Sequence, residues 1–397
     1  MSDVIIVGGG ASGLSLAQHL TATDSLTVTL VEAPDGPLRA PERTWCYWDE
    51  DGAELDEAVD ASWSRLRIHD ADGGAITVDP APLRYRMLRS TAFEHWAHSR
   101  IARSPGARIV RATADTVRDT AGGAAVTCTA PDGRTLTLHA RHVFDSRPLA
   151  ALPPARTQLL QHFRGWFVRT DTDRFDPAVA DLMDFRVPQP RHGLAFGYVL
   201  PLAPDRALVE YTEFSRIPLT RAAYESALGQ YGREILELGA FTVERAEQGV
   251  IPMTDARFPR RIGTAVSRIG TAGGATRPAT GYTFAAVQRQ SRAVATALRD
   301  GRAGAPRPHA RRVLAMDAIL LRALDTGRID GPGFFTGLFR HVPPERLLRF
   351  LDGRTSPWEE WGIGLRTPVG PMLRTAAELP FLRRRTHPAP RIEESRR

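Results

Sequence analysis

An α/β protein is what this sequence predicts: a parallel sheet flanked by helices, an antiparallel sheet inserted into it, and a helical C-terminal region. Three observations carry that prediction. The chain opens on an apolar run without alternation, Val4-Ile5-Ile6-Val7, which leads straight into glycines. Residues 155–255 break into short β-rich pieces separated by prolines, and residues 311–351 repeat apolar positions at helical spacing.

The bulk composition fits a folded chain of several parts. At 397 residues, with 42% hydrophobic and 24% charged residues, it can bury a sizeable core. Lysine is absent, so all 52 basic residues are arginine. They are scattered among the acids instead of alternating with aromatics, a distribution that argues against nucleic acid as a partner, while the formal charge of +7 suits an anionic membrane surface. Cys46 and Cys128 are the only cysteines and have no metal-ligand spacing, so no metal site is expected. A reducing cytoplasm is the expected compartment. The first apolar run is too short and too early for a signal-peptide core, and no run of about 18 apolar residues suggests a membrane span.

Taken in order, residues 3–7 form a strand buried on both faces, as parallel strands are. Gly8-Gly9-Gly10-Ala11-Ser12-Gly13 follows, then a helix through Leu14, Leu16, Ala17 and Leu20, then a strand over residues 27–31 that ends on Glu32. This is a β-turn-α-β unit carrying G-x-G-x-x-G. Gly8 permits the tight turn, Gly10 lets the backbone approach a pyrophosphate, and Gly13 lets helix and strand pack closely. The amides of Ala11 and Ser12 open the helix, where phosphate oxygens bind. Glu32, 19 residues after Gly13, can accept from a ribose diol. The unit is therefore read as a Rossmann-type dinucleotide site.

A nicotinamide dehydrogenase would continue with alternating strands and helices. Here the chain turns irregular from Pro34 through Trp48, and residues 107–143 read as a β meander with turns at Gly122-Gly123 and Asp132-Gly133. This resembles the p-hydroxybenzoate-hydroxylase-like class of FAD proteins, whose chain returns late to the flavin through a glycine-rich loop. Gly270-Thr271-Ala272-Gly273-Gly274 fits that return, and a helix over residues 282–298 follows. Monooxygenases of the class carry Gly-Asp where this chain has Gly270-Thr271. The expected organisation is a first FAD-binding part over residues 1–150, an antiparallel β-sheet substrate domain over 151–260, a second FAD-binding part over 261–302, and a helical region over 303–397 that frays after Pro380.

Further stretches, in order along nearly the whole chain, resemble the bacterial lycopene cyclases of the flavin-dependent type. They are Arg43-Thr44-Trp45; residues 144–148 (FDSRP); Gln161-His162-Phe163-Arg164-Gly165-Trp166; residues 182–187 (LMDFRV); Leu208-Val209-Glu210-Tyr211-Thr212; Gly249-Val250-Ile251-Pro252-Met253; residues 273–284 (GGATRPATGYTF); and residues 347–351 (LLRFL). The resemblance implies a redox-neutral closure of the ψ-ends of lycopene to β-rings, by an isomerase that uses reduced FAD with NADPH as reductant. It adds Arg43, Thr44, Gly270, Gly273, Gly274, Thr280, Gly281 and Tyr282 to the expected cofactor residues.

Such a reaction begins by protonating an alkene, so it needs an acid in a dry pocket with water excluded from the cation. Glu210 falls on the family's essential acidic position. In the strand over residues 207–214 it shares a face with Leu208, Thr212 and Phe214, a setting that raises a carboxyl pKa. The plainer alternative is a surface glutamate on a sheet edge. Glu213, on the opposite face, is expected to be exposed. Asp184 is a second catalytic candidate, with an ion pair to Arg186 or a turn role as its alternative. Trp45, Trp48, Trp166, Phe185 and Phe196 are candidates for a cation-stabilising lining or for plain core. His162 is either a proton relay or a satisfied structural histidine. A forty-carbon hydrocarbon must be taken from a membrane, so a peripheral position at its inner face is expected. The segments 313–324 and 347–351 would dock there or pack into the core. The rivals are a FAD-dependent monooxygenase or geranylgeranyl-type reductase of the same fold and, from another class, a non-catalytic carotenoid-binding flavoprotein.

Overall fold

The computed structural model of the chain describes residues 2–22 and 25–387. Its first sheet has seven strands. Across it run Ala107–Arg111, Val28–Glu32, Ser2–Val7, Thr135–Asp145, Gly123–Thr129 and Thr113–Thr120, and Val266–Arg268 is added parallel to the end of Thr135–Asp145. Val4 pairs with Val28 on one side and with His142 on the other, both parallel, so Val4 through Val7 lose contact with water on both faces. The helix Ala11–Thr21 packs on this sheet beside Phe284–Arg299, with Leu14, Leu16 and Val294 in a common core. The meander comprises 113–120, 123–129 and 135–145. The piece at 107–111, expected to belong to it, instead extends the parallel sheet beside Val28–Glu32.

The stretch after Glu32 is irregular through residue 43, as expected, but regular from Thr44, contrary to expectation. From Thr44 on the chain forms a three-stranded sheet of Thr44–Glu50, Leu83–Arg89 and Ala61–Trp63, followed by the helix Ser90–Ile101. Mixed polar and aromatic residues such as Thr44-Trp45-Cys46-Tyr47-Trp48 hide their period because both faces of that sheet are partly covered.

A second seven-stranded sheet runs Phe241–Thr254, Gln158–Thr170, Arg206–Ser215, Leu194–Ala203, Val179–Asp184, Arg65–His69 and Ala75–Val78. Its last two strands come from inside residues 1–150, so the boundary expected at 150 does not follow sheet membership. One face packs on the C-terminal helices. Leu321 and Leu324 of Arg311–Asp325 and Leu347, Leu348 and Leu351 of Pro344–Leu351 are buried there with Phe335 and Leu338. Each such side chain contributes roughly 1.5–3 kcal/mol of burial. Of the two readings of segments 313–324 and 347–351, core packing is the one realised. The helix Arg221–Gln230 covers part of the opposite face through Tyr224 and Leu228. Fraying does not begin at Pro380, because Arg385 and Ala155 exchange backbone hydrogen bonds of 2.8 and 2.9 Å. Residues 388–397 lie outside the described part.

Candidate active site

Three loops meet at the C-terminal ends of the parallel strands, the usual ligand edge of such a sheet. Gly8 donates to Val31 O, the Ser146 hydroxyl donates to Val7 O at 2.8 Å, and Ile269 donates to Asp145 O at 3.1 Å. Gly8 has φ +102°. A methyl group on Gly13 would lie 1.8 Å from Gly8 O, whereas one on Gly10 would meet nothing within 4 Å. The first spacing is the close helix–strand approach, and the second is open space at the start of a helix whose first turn has no acidic residue. That combination suits an anion. Gly270, at φ +64°, touches Ser12, so the late loop does return to the first turn. Glu32 is buried beside Gly9. Its Oε1 is 2.8 Å from His98 Nε2 and its Oε2 is 2.9 Å from the Arg111 guanidinium.

Beside this edge lies a cavity of about 160 Å³ between the second sheet, the Thr44–Glu50 strand and the C-terminal helices. Glu210 reaches it from the strand Arg206–Ser215, which is interior to its sheet and no edge. Tyr198 and Gly165 are its cross-strand partners. The side chain accepts from the Thr212 hydroxyl at 2.7 Å. Burial, followed by the charge of Glu247, pushes its carboxyl up to about 8.

Glu247 was not legible in the sequence. It pairs with Gly165 from the other side, so two carboxyls flank a residue without a side chain. A Cβ on Gly165 would stand 3.5 Å from both Glu210 Oε2 and Glu247 Cγ. Glu247 accepts from the Thr44 hydroxyl at 2.8 Å, and burial raises its carboxyl too. The thiol and phenol groups of the cavity keep their protons. Burial pushes the Cys46 thiol up to about 12, and the Tyr85 and Tyr198 hydroxyls, hydrogen-bonded to each other, lie well above the ordinary tyrosine range.

Trp45 and Phe196 line the cavity, as do Phe163, Phe284, Phe335 and Phe339. Trp48, Trp166 and Phe185 do not. Trp48 backs the cavity against Tyr282 at 4.8 Å, Trp166 packs on Phe241, and Phe185 is core. Thr280, Gly281 and Tyr282 form one wall. There Gln161 Oε1 and Thr280 Oγ1 are buried without a hydrogen-bond partner among the described residues. Unmatched polar atoms of this kind are costly unless a ligand meets them, and the polar edge of a flavin ring carries matching groups. FAD would fit these residues, with Gly8, Gly10, Ala11, Ser12 and Gly13 available to hold its phosphates and residues 280–282 to hold its ring. Gly273 and Gly274 face away from this cavity, and Arg43 holds its place through Ser90 with its side chain exposed.

One reading is narrowed and one is corrected. Asp184 is fully buried and does not line the cavity. Its oxygens accept from Arg186 Nε at 2.9 Å and from the Tyr231 hydroxyl at 2.9 Å, so the ion pair with Arg186 is the alternative that the structure forms. Glu213 is buried instead of exposed, because the 221–230 helix covers that face. Its Oε2 accepts from the Tyr211 hydroxyl. His162 is structural, held between Tyr224 at 2.6 Å and Ser215 at 2.8 Å.

A family model described as lycopene cyclase protein matches residues 3–377. No curated protein matches the chain. Among solved structures, a flavoprotein/dehydrogenase from Cytophaga hutchinsonii aligns at TM-score 0.65 and 12% identity, covering 96% of this chain and 99% of that one. A geranylgeranyl bacteriochlorophyll reductase-like protein from Thermoplasma acidophilum aligns at 0.61 and 15% over 96% and 99%. A flavin-dependent monooxygenase in complex with FAD and substrate aligns at 0.58 and 16% over 95% and 72%. The α/β fold expected from the sequence is the fold of these structures.

Proposed function

The chain belongs to the lycopene cyclase family, and from that premise we propose that it is an isomerase closing the ψ-ends of lycopene into β-rings, with Glu210 as the acid. The observation that carries this reading is Glu210 itself, a carboxyl pushed up to about 8 in an aromatic cavity beside the loop that fits the flavin. A protonated carboxyl near neutral pH is what alkene protonation requires.

Glu210 gives its proton to the terminal double bond and leaves a tertiary cation. A neighbouring double bond attacks that cation and closes the ring. The ring then loses a proton to Glu247, so the product is an isomer of the substrate and no electrons are exchanged. The aromatic walls, with Phe163, Phe196 and Phe214 among them, exclude water and turn electron-rich faces toward the cation. Thr280, Gly281 and Tyr282 would hold the ring of a reduced FAD, which would supply an electron-rich face to the same positive charge. Thr212 and Thr44 orient the two carboxyls.

The substrate arrives from a bilayer. Of the eleven large apolar side chains exposed among the described residues, six, Trp358, Trp361, Leu365, Val369, Leu373 and Phe381, fall within residues 357–381. Arg366, Arg374 and Arg383 lie exposed among them. Tryptophans beside arginines suit the interface of an anionic membrane, and this face, not segments 313–324 or 347–351, is the one we assign to peripheral docking on its inner surface. Exchanging Trp358 and Trp361 for glutamate should lower partition onto phosphatidylglycerol vesicles about tenfold or more in a flotation assay. Unchanged partition would move the docking face elsewhere.

Expression in lycopene-accumulating cells, with the product analysed by mass, tests the reaction. A cyclase gives an orange product of unchanged mass, and the purified protein turns over without oxygen once its flavin is reduced. A product heavier by oxygen or by hydrogen would identify the monooxygenase or the reductase. Untouched lycopene with flavin bound would overturn the reading.

A further inference from the structure

On the outer side of the second flavin loop lies a larger groove, of about 1090 Å³. Eight of the side chains lining it are arginines, and Asp255 is the one carboxylate among them. Arg156 and Arg384 meet Asp255 at 3.5 and 3.3 Å. Arg302 is paired with Asp300 at 2.7 Å, and Arg260 donates to Ala305 O at 2.6 Å. Arg257, Arg261, Arg307 and Arg311 are exposed and have no carboxylate partner among the described residues. Guanidinium groups gathered this way repel one another, and the charge of Arg307, after burial, lowers the pKa of Arg260. An anion would relieve that repulsion, and a phosphate matches the planar fork of arginine donors.

The position of the groove indicates which phosphate. Gly273, Gly274, Thr276 and Pro278 line the groove, whereas Thr280 through Phe284 line the Glu210 cavity. One turn of chain therefore separates the two compartments. We infer that this groove binds the phosphates of a pyridine dinucleotide, the class of reductant that would deliver electrons to a flavin on the other side of that turn. The groove exceeds the usual range for small-molecule pockets, roughly 300–1,000 Å³, so it can take a dinucleotide. The inference rests on the reading that the flavin works in its reduced form.

Nucleotide binding is measured on the flavin-loaded protein by calorimetric titration with NADPH, with inorganic pyrophosphate as competitor. The double variant Arg257→Glu/Arg307→Glu reverses two exposed charges and leaves the ion pairs of Asp255 intact. It should raise the NADPH dissociation constant about tenfold or more, while flavin content, vesicle partition and cyclisation driven by dithionite-reduced flavin stay as in the unmodified protein. Pyrophosphate should displace NADPH, and added salt should weaken binding. Equal affinity in the variant, or no binding of NADPH and pyrophosphate by the unmodified protein, would overturn the inference. So would a variant that keeps NADPH but loses the vesicles, since the groove would then hold lipid headgroups. Intact nucleotide binding without dithionite-driven cyclisation would count against the cyclase and leave the groove standing.

Discussion

Each of the two large sheets buries a glutamate, and the neighbours decide what each one does. Glu32, 3% exposed, sits among cations, with Arg111 and His98 on its two oxygens. Glu210, 9% exposed, has a hydroxyl on one oxygen and a second carboxyl beyond Gly165. In the nucleotide sheet the negative charge is met by guanidinium and serves to position. In the second sheet it is met by a proton, and that proton can be given away. Similar burial of the same residue type therefore sets no chemistry until the surrounding charges are counted.

The sharpest way to break this contrast is Glu210→Gln. It removes the transferable proton and keeps the shape, so cyclisation with reduced flavin should fall by at least about a thousandfold while the purified protein stays yellow. Near-normal turnover would make Glu210 a structural residue like Glu32. The matched change, Glu32→Gln, unbalances Arg111 and His98. It should weaken flavin retention about tenfold, as judged by flavin released on dilution, with the pH dependence of turnover unmoved.

A smaller effect tests the carboxyl pair. Turnover should decline as pH rises through about 8, where Glu210 gives up its proton. Glu247→Gln removes the like charge, so this decline should move to lower pH, with turnover reduced about tenfold or more by the loss of the base. A decline that stays where it was would remove Glu247 from the pair.

The smallest effect is on stability. Glu210 ionises near its ordinary 4.5 in the unfolded chain and near 8 in the folded one. Between those values the folded state holds a proton that the unfolded state has released, so stability falls as pH climbs from 4.5 to 8. Glu210→Gln should flatten that slope, leaving the variant more stable than the parent in denaturant titrations at pH 8. An unchanged slope would mean that Glu210 is less desolvated than its surroundings indicate.

What was legible in the sequence follows the same division. The glycine turn and the late loop were readable because their geometry is local, with glycines forced by close backbone approach at Gly13 and positive φ at Gly8 and Gly270. Glu210 was found through its setting on one strand and its family position. Glu247 escaped because it meets Glu210 only through the register of both strands on Gly165, which no spacing in the sequence encodes. For Asp184 the ion pair to Arg186 was legible in their spacing, whereas Tyr231, which arrives from the short helix Tyr231–Ile235, was not. Alternation predicted an exposed Glu213 because it takes a sheet to have one wet face, and the 221–230 helix removes that assumption. The outward apolar face at 357–381 was missed for the converse reason. Helical spacing reveals an apolar stripe but not whether a neighbour covers it, and the stripes at 313–324 and 347–351 are the ones the sheet claims.

The turn over residues 273–283 has two faces, one on each compartment. Any adjustment that a guest on one face imposes on this backbone is felt on the other, and such influence runs equally in both directions. If a carotenoid end tightens the grip on the outer ligand, the outer ligand tightens the grip on the carotenoid by the same factor. A single stretch of main chain thereby makes occupancy of two separate rooms one thermodynamic variable.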